Sequence, residues 1–175
     1  MSQNIEIKAH YPNIKAGRDI AGSIGAKYLG CDHQLDTYFK TKNGRLKIRE
    51  SSISGAVLIP YIRENKTKAK TSNYALIELA NANTVKALFS HIFGIDTIVE
   101  KERHIYLIDN VRIHLDKVVE LGCFLEFEAV CSRSSVIKNE QFKIKKLMNV
   151  FKINNKDLIN DSYRELKFNK RRRSL

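Results

Sequence analysis

Charged and apolar residues alternate one for one through segment after segment of this chain. Ile5, Ile7 and Ala9 alternate with Glu6 and Lys8, and Leu46 and Ile48 with Arg45, Lys47 and Arg49. Lys101 and Arg103 follow, then Arg112, His114 and Asp116 among Val111, Ile113 and Leu115, and last Glu126 and Glu128 among Leu125, Phe127 and Ala129. A period of two is the mark of strands, whose successive side chains point to opposite faces. A half-solvated open sheet would show the same pattern in any one strand. Here the signs segregate, basic on some strands and acidic on others, and long strands close readily into a barrel. A barrel with charge inside and apolar residues outside, covered by helices, would be a polar tunnel and so a candidate site.

Strands are expected over 3–11, 34–41, 45–51, 56–63, 74–80, 97–109, 110–117 and 123–131. Asn43-Gly44 marks a hairpin, Asp109-Asn110 a weaker one, and Pro60 predicts an edge or a bulge. Helices are expected from Asn13 to Tyr28, Asn83 to Phe93, Asn139 to Phe151 and Asp157 to Leu166. Glu64 to Ser72, with Lys66, Lys68 and Lys70, is expected to be a loop. With 175 residues, 43% of them hydrophobic, and no internal linker, the chain fits one domain over 1–168 and a basic tail over 169–175.

The sequence holds no run of 18 apolar residues and no secretory signal, so no membrane association is expected. Cys31, Cys123 and Cys131 lack metal-site spacing and read as buried free thiols of a reduced, cytoplasmic protein. The net charge of +12 comes partly from Lys170, Arg171, Arg172 and Arg173, a basic tail that reads as a solvated end and as the one segment able to bind nucleic acid or an anionic surface. The rest either suits an anionic ligand, polyphosphate or nucleic acid, or is scattered over the surface.

Glu126 and Glu128 share one strand face, with Glu6 and Asp116 as neighbours across a barrel. Carboxylates so grouped bind hard cations such as Mg²⁺ or Mn²⁺, or else form an exposed acidic face. Lys8, Arg45, Lys47, Arg49, Arg63, Lys101, Arg103 and Arg112 could surround a polyphosphate, since arginine forks grip phosphate oxygens in pairs and lysine supplies compact charge. Nucleic acid calls for a one-sidedly basic surface with stacking aromatics, whereas Phe39, Phe124, Phe127 and Tyr106 fall at core-like positions. No P-loop and no H-E-x-x-H is present, and His114 reads as a hydrogen-bonded structural histidine.

Asn4-Ile5-Glu6-Ile7-Lys8 resembles the amino-terminal E-x-E-x-K strand of the CYTH superfamily, the triphosphate tunnel metalloenzymes. The resemblance continues through Asp36-Thr37-Tyr38-Phe39, Gly44 to Glu50, Tyr61-x-Arg63, Lys101-x-Arg103, Asn110 to Asp116, Leu121 to Glu128 and Asp161-Ser162-Tyr163. It covers about 3–166 and is nearest the class IV adenylyl cyclase-like subgroup. It implies an α+β fold, an eight-stranded antiparallel β-barrel with a charged interior and flanking helices, whose tunnel binds a nucleoside or inorganic triphosphate with Mg²⁺ or Mn²⁺. Glu6, Glu126 and Glu128 then match metal ligands, and Glu78 and Asp116 further acidic positions. Lys8, Lys47, Arg49, Arg63, Lys101, Arg103 and Arg112 match the phosphate grip, with Lys8, Arg49 and Asp116 in catalytic roles and Lys70 at a mobile-loop lysine. The implied reaction is ATP to cyclic AMP and pyrophosphate. Hydrolysis of tripolyphosphate or thiamine triphosphate is the alternative, and a non-catalytic polyphosphate or nucleic-acid binder the third reading. Asn4 replaces the motif's first glutamate, keeping an oxygen donor but losing its charge.

Overall fold

The computed structural model describes residues 2–63, 70–132 and 135–173. Nine strands and four helices succeed one another: β1 (Ser2–His10), α1 (Ile14–Ser23), β2 (Lys27–Phe39), β3 (Arg45–Ser51), β4 (Gly55–Arg63), β5 (Lys70–Tyr74), β6 (Ile77–Glu78), α2 (Ala82–Phe93), β7 (Ile95–Ile108), β8 (Val111–Val118), β9 (Gly122–Cys131), α3 (Ile137–Val150) and α4 (Tyr163–Arg173). The sheet order is β3-β2-β7-β8-β9-β1-β5-β4, and β3 pairs again with β4, so eight antiparallel strands close into a ring. Short β6 is appended to β4.

The alternation sorts residues as the sequence predicts. Ile5, Ala9, Val111, Ile113, Leu115, Leu125, Phe127 and Ala129 turn outward into the main core with Ala21 of α1 and Ile144, Leu147 and Phe151 of α3 and its end. The charged partners at even positions are left facing the lumen. A second apolar cluster of Tyr38, Val99, Val118, Phe124 and Tyr163 lies on the lumen side and is joined there by α4.

Several expected boundaries are corrected. Helix α1 stops at Ser23 rather than Tyr28, because Gly25 adopts φ +75 and the amides of Gly25 and Ala26 bond back to the carbonyls of Gly22 and Ala21. This paired bonding is the glycine stop of a helix. The freed residues extend β2 seven residues earlier than expected, and Lys27–His33 pair with β7 alone. The expected strand 74–80 divides into β5 and β6 at Ala75–Leu76. Pro60 explains the break: its carbonyl accepts from Ala75, so its missing N–H faces the same gap. Of the expected loop, 64–69, with Lys66 and Lys68, lies outside the described residues, and Lys70–Ser72 belong to β5. The final helix begins at Tyr163, so Lys170–Arg173 form its last turn rather than a tail beyond it. The thiols are not buried as expected: Cys31 is exposed, and Cys123 and Cys131 are half-buried.

Candidate active site

Residues directly opposite in an antiparallel ladder share a face. The register therefore traces the lumen wall around the ring. Glu6 faces Glu128 and Lys8 faces Glu126. Arg112 faces Glu128, His114 faces Glu126, and Arg103 faces Asp116. Arg49 faces Asp36 and Lys47 faces Tyr38, while Lys101 faces Gln34. Arg45 faces Tyr61, Arg49 also faces Val57, and Glu78 joins Val57 on that same face, exposed at the rim. Arg63 and Lys70 occupy register positions opposite Ser72 and Glu6, their side chains lying outside the described set. Every expected site residue with a described side chain thus belongs to one wall, and the backbone register sets Arg63 and Lys70 in the same strands.

The wall has two charge hubs. The first is Asp36, fully buried, which the sequence reading did not single out. Its carboxylate accepts from Arg49 Nε and Nη2 at 2.7 and 2.8 Å, Lys47 Nζ at 2.9 Å and Lys101 Nζ at 3.1 Å. Burial pushes the Asp36 carboxyl up, but Arg49, Lys101 and Lys47 outweigh it and hold it well below the usual range. The lysines do not gain correspondingly. Burial, with the like charges of Arg49 and Lys101, lowers Lys47 to about 7 despite Asp36. Burial also lowers Lys101 to about 8, against the pull of Asp36. One carboxylate cannot fully compensate three crowded cations.

The second hub is Arg103. It donates to Asp116 through Nε at 2.7 Å and Nη2 at 2.5 Å, and to Glu126 Oε2 at 2.6 Å. Lys8 Nζ takes the other Glu126 oxygen at 3.0 Å and lies 3.9 Å from the centre of the Tyr163 ring. Tyr163, also missed in the sequence as a site residue, donates its hydroxyl to Asp116 Oδ2 at 2.7 Å. Burial raises Glu126, but Lys8 and Arg103 hold it well below the carboxylate range. His114 is buried, but its Nδ1 is 3.8 Å from Glu126 Oε2, too long for the hydrogen bond expected of it. Burial and Arg103 lower its pKa, so the ring is neutral at pH 7.

Glu6, Glu126 and Glu128 form one strip of the wall, and at Glu128 the Asn4 amide donates to one oxygen while Arg112 stands 3.4 Å from the other. As placed, no three His, Cys, Asp or Glu among the described residues converge on one metal-sized position. The donor chemistry nonetheless fits a hard divalent ion. Asn4 Oδ1 is buried without a hydrogen-bond partner beside Glu128, and amide and carboxylate oxygens are the ligands Mg²⁺ and Mn²⁺ take.

A closed antiparallel barrel lined by paired acids and bases defines a tunnel protein that handles a multiply charged anion. The CYTH domain model matches residues 2–163, and the chain belongs to that family. Tunnel enzymes of the family act on triphosphates with divalent metals. No curated protein sequence matches the chain significantly. Among solved structures, the PH1012 protein of Pyrococcus horikoshii is similar at 23% identity and TM-score 0.80, covering 95% of this chain and 99% of that one. A candidate adenylate cyclase of Vibrio parahaemolyticus is similar at 16% identity and TM-score 0.75, covering 93% and 95%. A candidate adenylyl cyclase of Hippeastrum, with dominant triphosphatase activity, is similar at 14% identity and TM-score 0.61, covering 87% and 89%. These likenesses are to the fold. No helix among the described residues is long and apolar enough to cross a membrane.

Proposed function

We propose that the protein is a divalent-metal-dependent enzyme that cleaves a triphosphate inside the barrel. The observation that carries this reading is the pair of charge hubs, in which five cationic side chains are held by Asp36, Asp116 and Glu126. Phosphate oxygens can replace these carboxylates as acceptors. Lys47, Arg49 and Lys101 then turn from Asp36 to the ligand while remaining on fixed strands, so the site is positioned before the substrate arrives. Mg²⁺ or Mn²⁺ held by Glu6, Glu126 and Glu128 supplies neutralisation of charge on the phosphate oxygens. Asp116, with both oxygens engaged by Arg103 and Tyr163, acts as the group that orients Arg103.

Cyclisation of ATP is the first reaction of this reading: the ribose 3′-hydroxyl attacks the α-phosphorus and pyrophosphate leaves. Hydrolysis of tripolyphosphate or thiamine triphosphate is the second, favoured by the triphosphatase activity of the Hippeastrum neighbour. Incubation with ATP, tripolyphosphate and thiamine triphosphate, each with Mg²⁺ or Mn²⁺, separates them by product. Cyclic AMP with pyrophosphate supports the cyclase, and orthophosphate the hydrolase. Metal-independent binding without any product would overturn the enzyme reading in favour of a polyphosphate binder.

A further inference from the structure

Helix α3 separates its two faces as sharply as the barrel strands do. Ile144 and Leu147, with Phe151 just beyond, are buried against the barrel, and the Phe151 ring meets Phe127 at 5.2 Å between centres. The opposite face is the row Lys138, Phe142, Lys145 and Asn149, at i, i+4, i+7 and i+11, with Gln141 and Lys146 at its sides, and all six are exposed. Exposed Lys152 and Lys156 carry the same sign past the end of the helix. Among the described residues, none of Lys138, Lys145, Lys146, Lys152 and Lys156 forms an ion pair. The one carboxylate of the helix, Glu140, is buried and engaged by Lys143 at 3.0 Å and the Asn110 amide at 2.7 Å. Phe142 stands in the middle of this basic row, 58% exposed, with Lys146 Nζ 4.7 Å from its ring centre. Cations, side-chain amides and an open aromatic ring, with no acid among them, suit a strand of phosphates and stacking bases.

We propose that this face of α3 binds single-stranded nucleic acid, with an unpaired base stacked on Phe142 and the flanking phosphates met by Lys138, Lys145 and Lys146. At 1.5 Å of rise per residue, Lys138 and Lys146 stand about 12 Å apart along the axis, and the ring lies midway between them. Lys146 already holds its ammonium at the ring, so beside a stacked base it is in place for that nucleotide's phosphate. Stacking needs a base free of its pair, which selects single strands over a duplex. An anionic membrane fits less well. A helix lying on lipid immerses a wide apolar face, whereas α3 has its own in the core and presents one phenylalanine among lysines. Exposed Val136 and Ile137 belong to the start of the helix and lie off this row. The surface uses no lumen residue and none of Lys170–Arg173, where charge alone set nucleic acid.

The probe is an oligouridylate about a dozen nucleotides long, titrated into the full-length protein. Its 5′ end is a hydroxyl, so it offers the lumen no triphosphate. The chain has no tryptophan, and Phe142→Trp therefore supplies a single fluorophore at the stacking position. Its emission is expected to be quenched on binding, with affinity kept or increased. Phe142→Ala weakens binding about tenfold. Lys138→Gln combined with Lys145→Gln and Lys146→Gln lowers the slope of log affinity against log salt by about 2, at about 0.7 per single-strand phosphate contact. Circular dichroism and triphosphate turnover stay unchanged in these variants, because every altered side chain is on the exposed face. An unquenched tryptophan, an unweakened Phe142→Ala or an unchanged salt slope overturns the proposal. Binding of phosphatidylserine vesicles in place of the oligouridylate overturns it equally.

Discussion

Asp36 is one carboxylate balancing Arg49, Lys47 and Lys101, and the balance makes two predictions. Asp36→Asn keeps the shape and leaves three buried cations around a neutral amide. Breaking a buried ion pair on one side costs about 3–5 kcal/mol, so chemical denaturation should show a loss on that scale. A loss under about 1 kcal/mol would mean that water already screens the hub. The second prediction follows from Lys47 at about 7 and Lys101 at about 8. Both are depressed in the free protein, and an anion beside them raises them, so at pH 8 binding of metal-free tripolyphosphate should take up about one proton or more. Uptake should fade toward pH 6, where both lysines are charged before binding. Calorimetry in buffers of different ionisation enthalpy measures it, and release or no exchange at pH 8 would contradict the assignment. Asp36 escaped the sequence reading because its role depends on register. A tight turn on Asn43-Gly44 alone would set Tyr38 opposite Arg49, whereas the longer turn between Phe39 and Arg45 sets Asp36 there. The alternation survives a shift of two, so Lys47 and Arg49 were legible as lumen residues while their acid partner was not.

Among the elements, α4 does most to connect barrel and terminus. Tyr163 reaches Asp116, Glu165 pairs with Arg45 at 2.5 Å, and Lys167 pairs with the exposed Glu120 at 3.3 Å. The basic last turn adds the Lys170 Nζ donation to the Glu120 carbonyl. Truncation after Phe168 removes that turn but spares Tyr163, Glu165 and Lys167. Triphosphate turnover should persist, with weaker binding to nucleic acid or acidic surfaces, by a salt slope falling about 0.9 per lost duplex phosphate contact. A folded truncation that turns over substrate much more slowly would show that the end of α4 helps to hold Tyr163 in place. The helix itself was hard to place from sequence. Its polar stretch Arg164 to Arg173 carries no apolar stripe, and Tyr163 inserts into a charged interior rather than an apolar core. The α1 stop was legible at Gly25, but Ile24, Ala26 and Tyr28 continue an apolar pattern that suits helix and strand alike.

For the whole molecule, the strand alternation suggested that a closed barrel would give the charged faces a common interior, and the family resemblance supplied the eight-stranded antiparallel form that the ring takes. The grouping of Glu6 with Glu128 across β1 and β9 followed from the same closure. What the sequence did not reveal is that Glu126 is held by Lys8 and Arg103, so a metal must compete with two cations for it. Glu126→Gln with Glu128→Gln should abolish Mn²⁺ binding in the lumen, followed by electron paramagnetic resonance, while circular dichroism retains the strand signal. Glu6→Gln alone should weaken the same binding and serves if the double variant does not fold. Unchanged Mn²⁺ affinity in either variant would remove those carboxylates from the metal reading.

Closure of the ring also sets the order in which this protein can become functional. Strand β1 sits between β9 and β5, pairing Asn4 with Val130 and Glu6 with Lys70. Strand β1, made before the other described strands, must therefore wait for β9, the last of them, before its two ladders are complete. Such distant pairing is slow to search, because the entropy of closing a long loop is lost before any contact repays it. Until then Glu6 and Lys8 stand apart from Glu126 and Glu128, and the nascent chain has the charges of a binding site without their arrangement. Activity should appear in a single late step during refolding, with the docking of the amino-terminal strand.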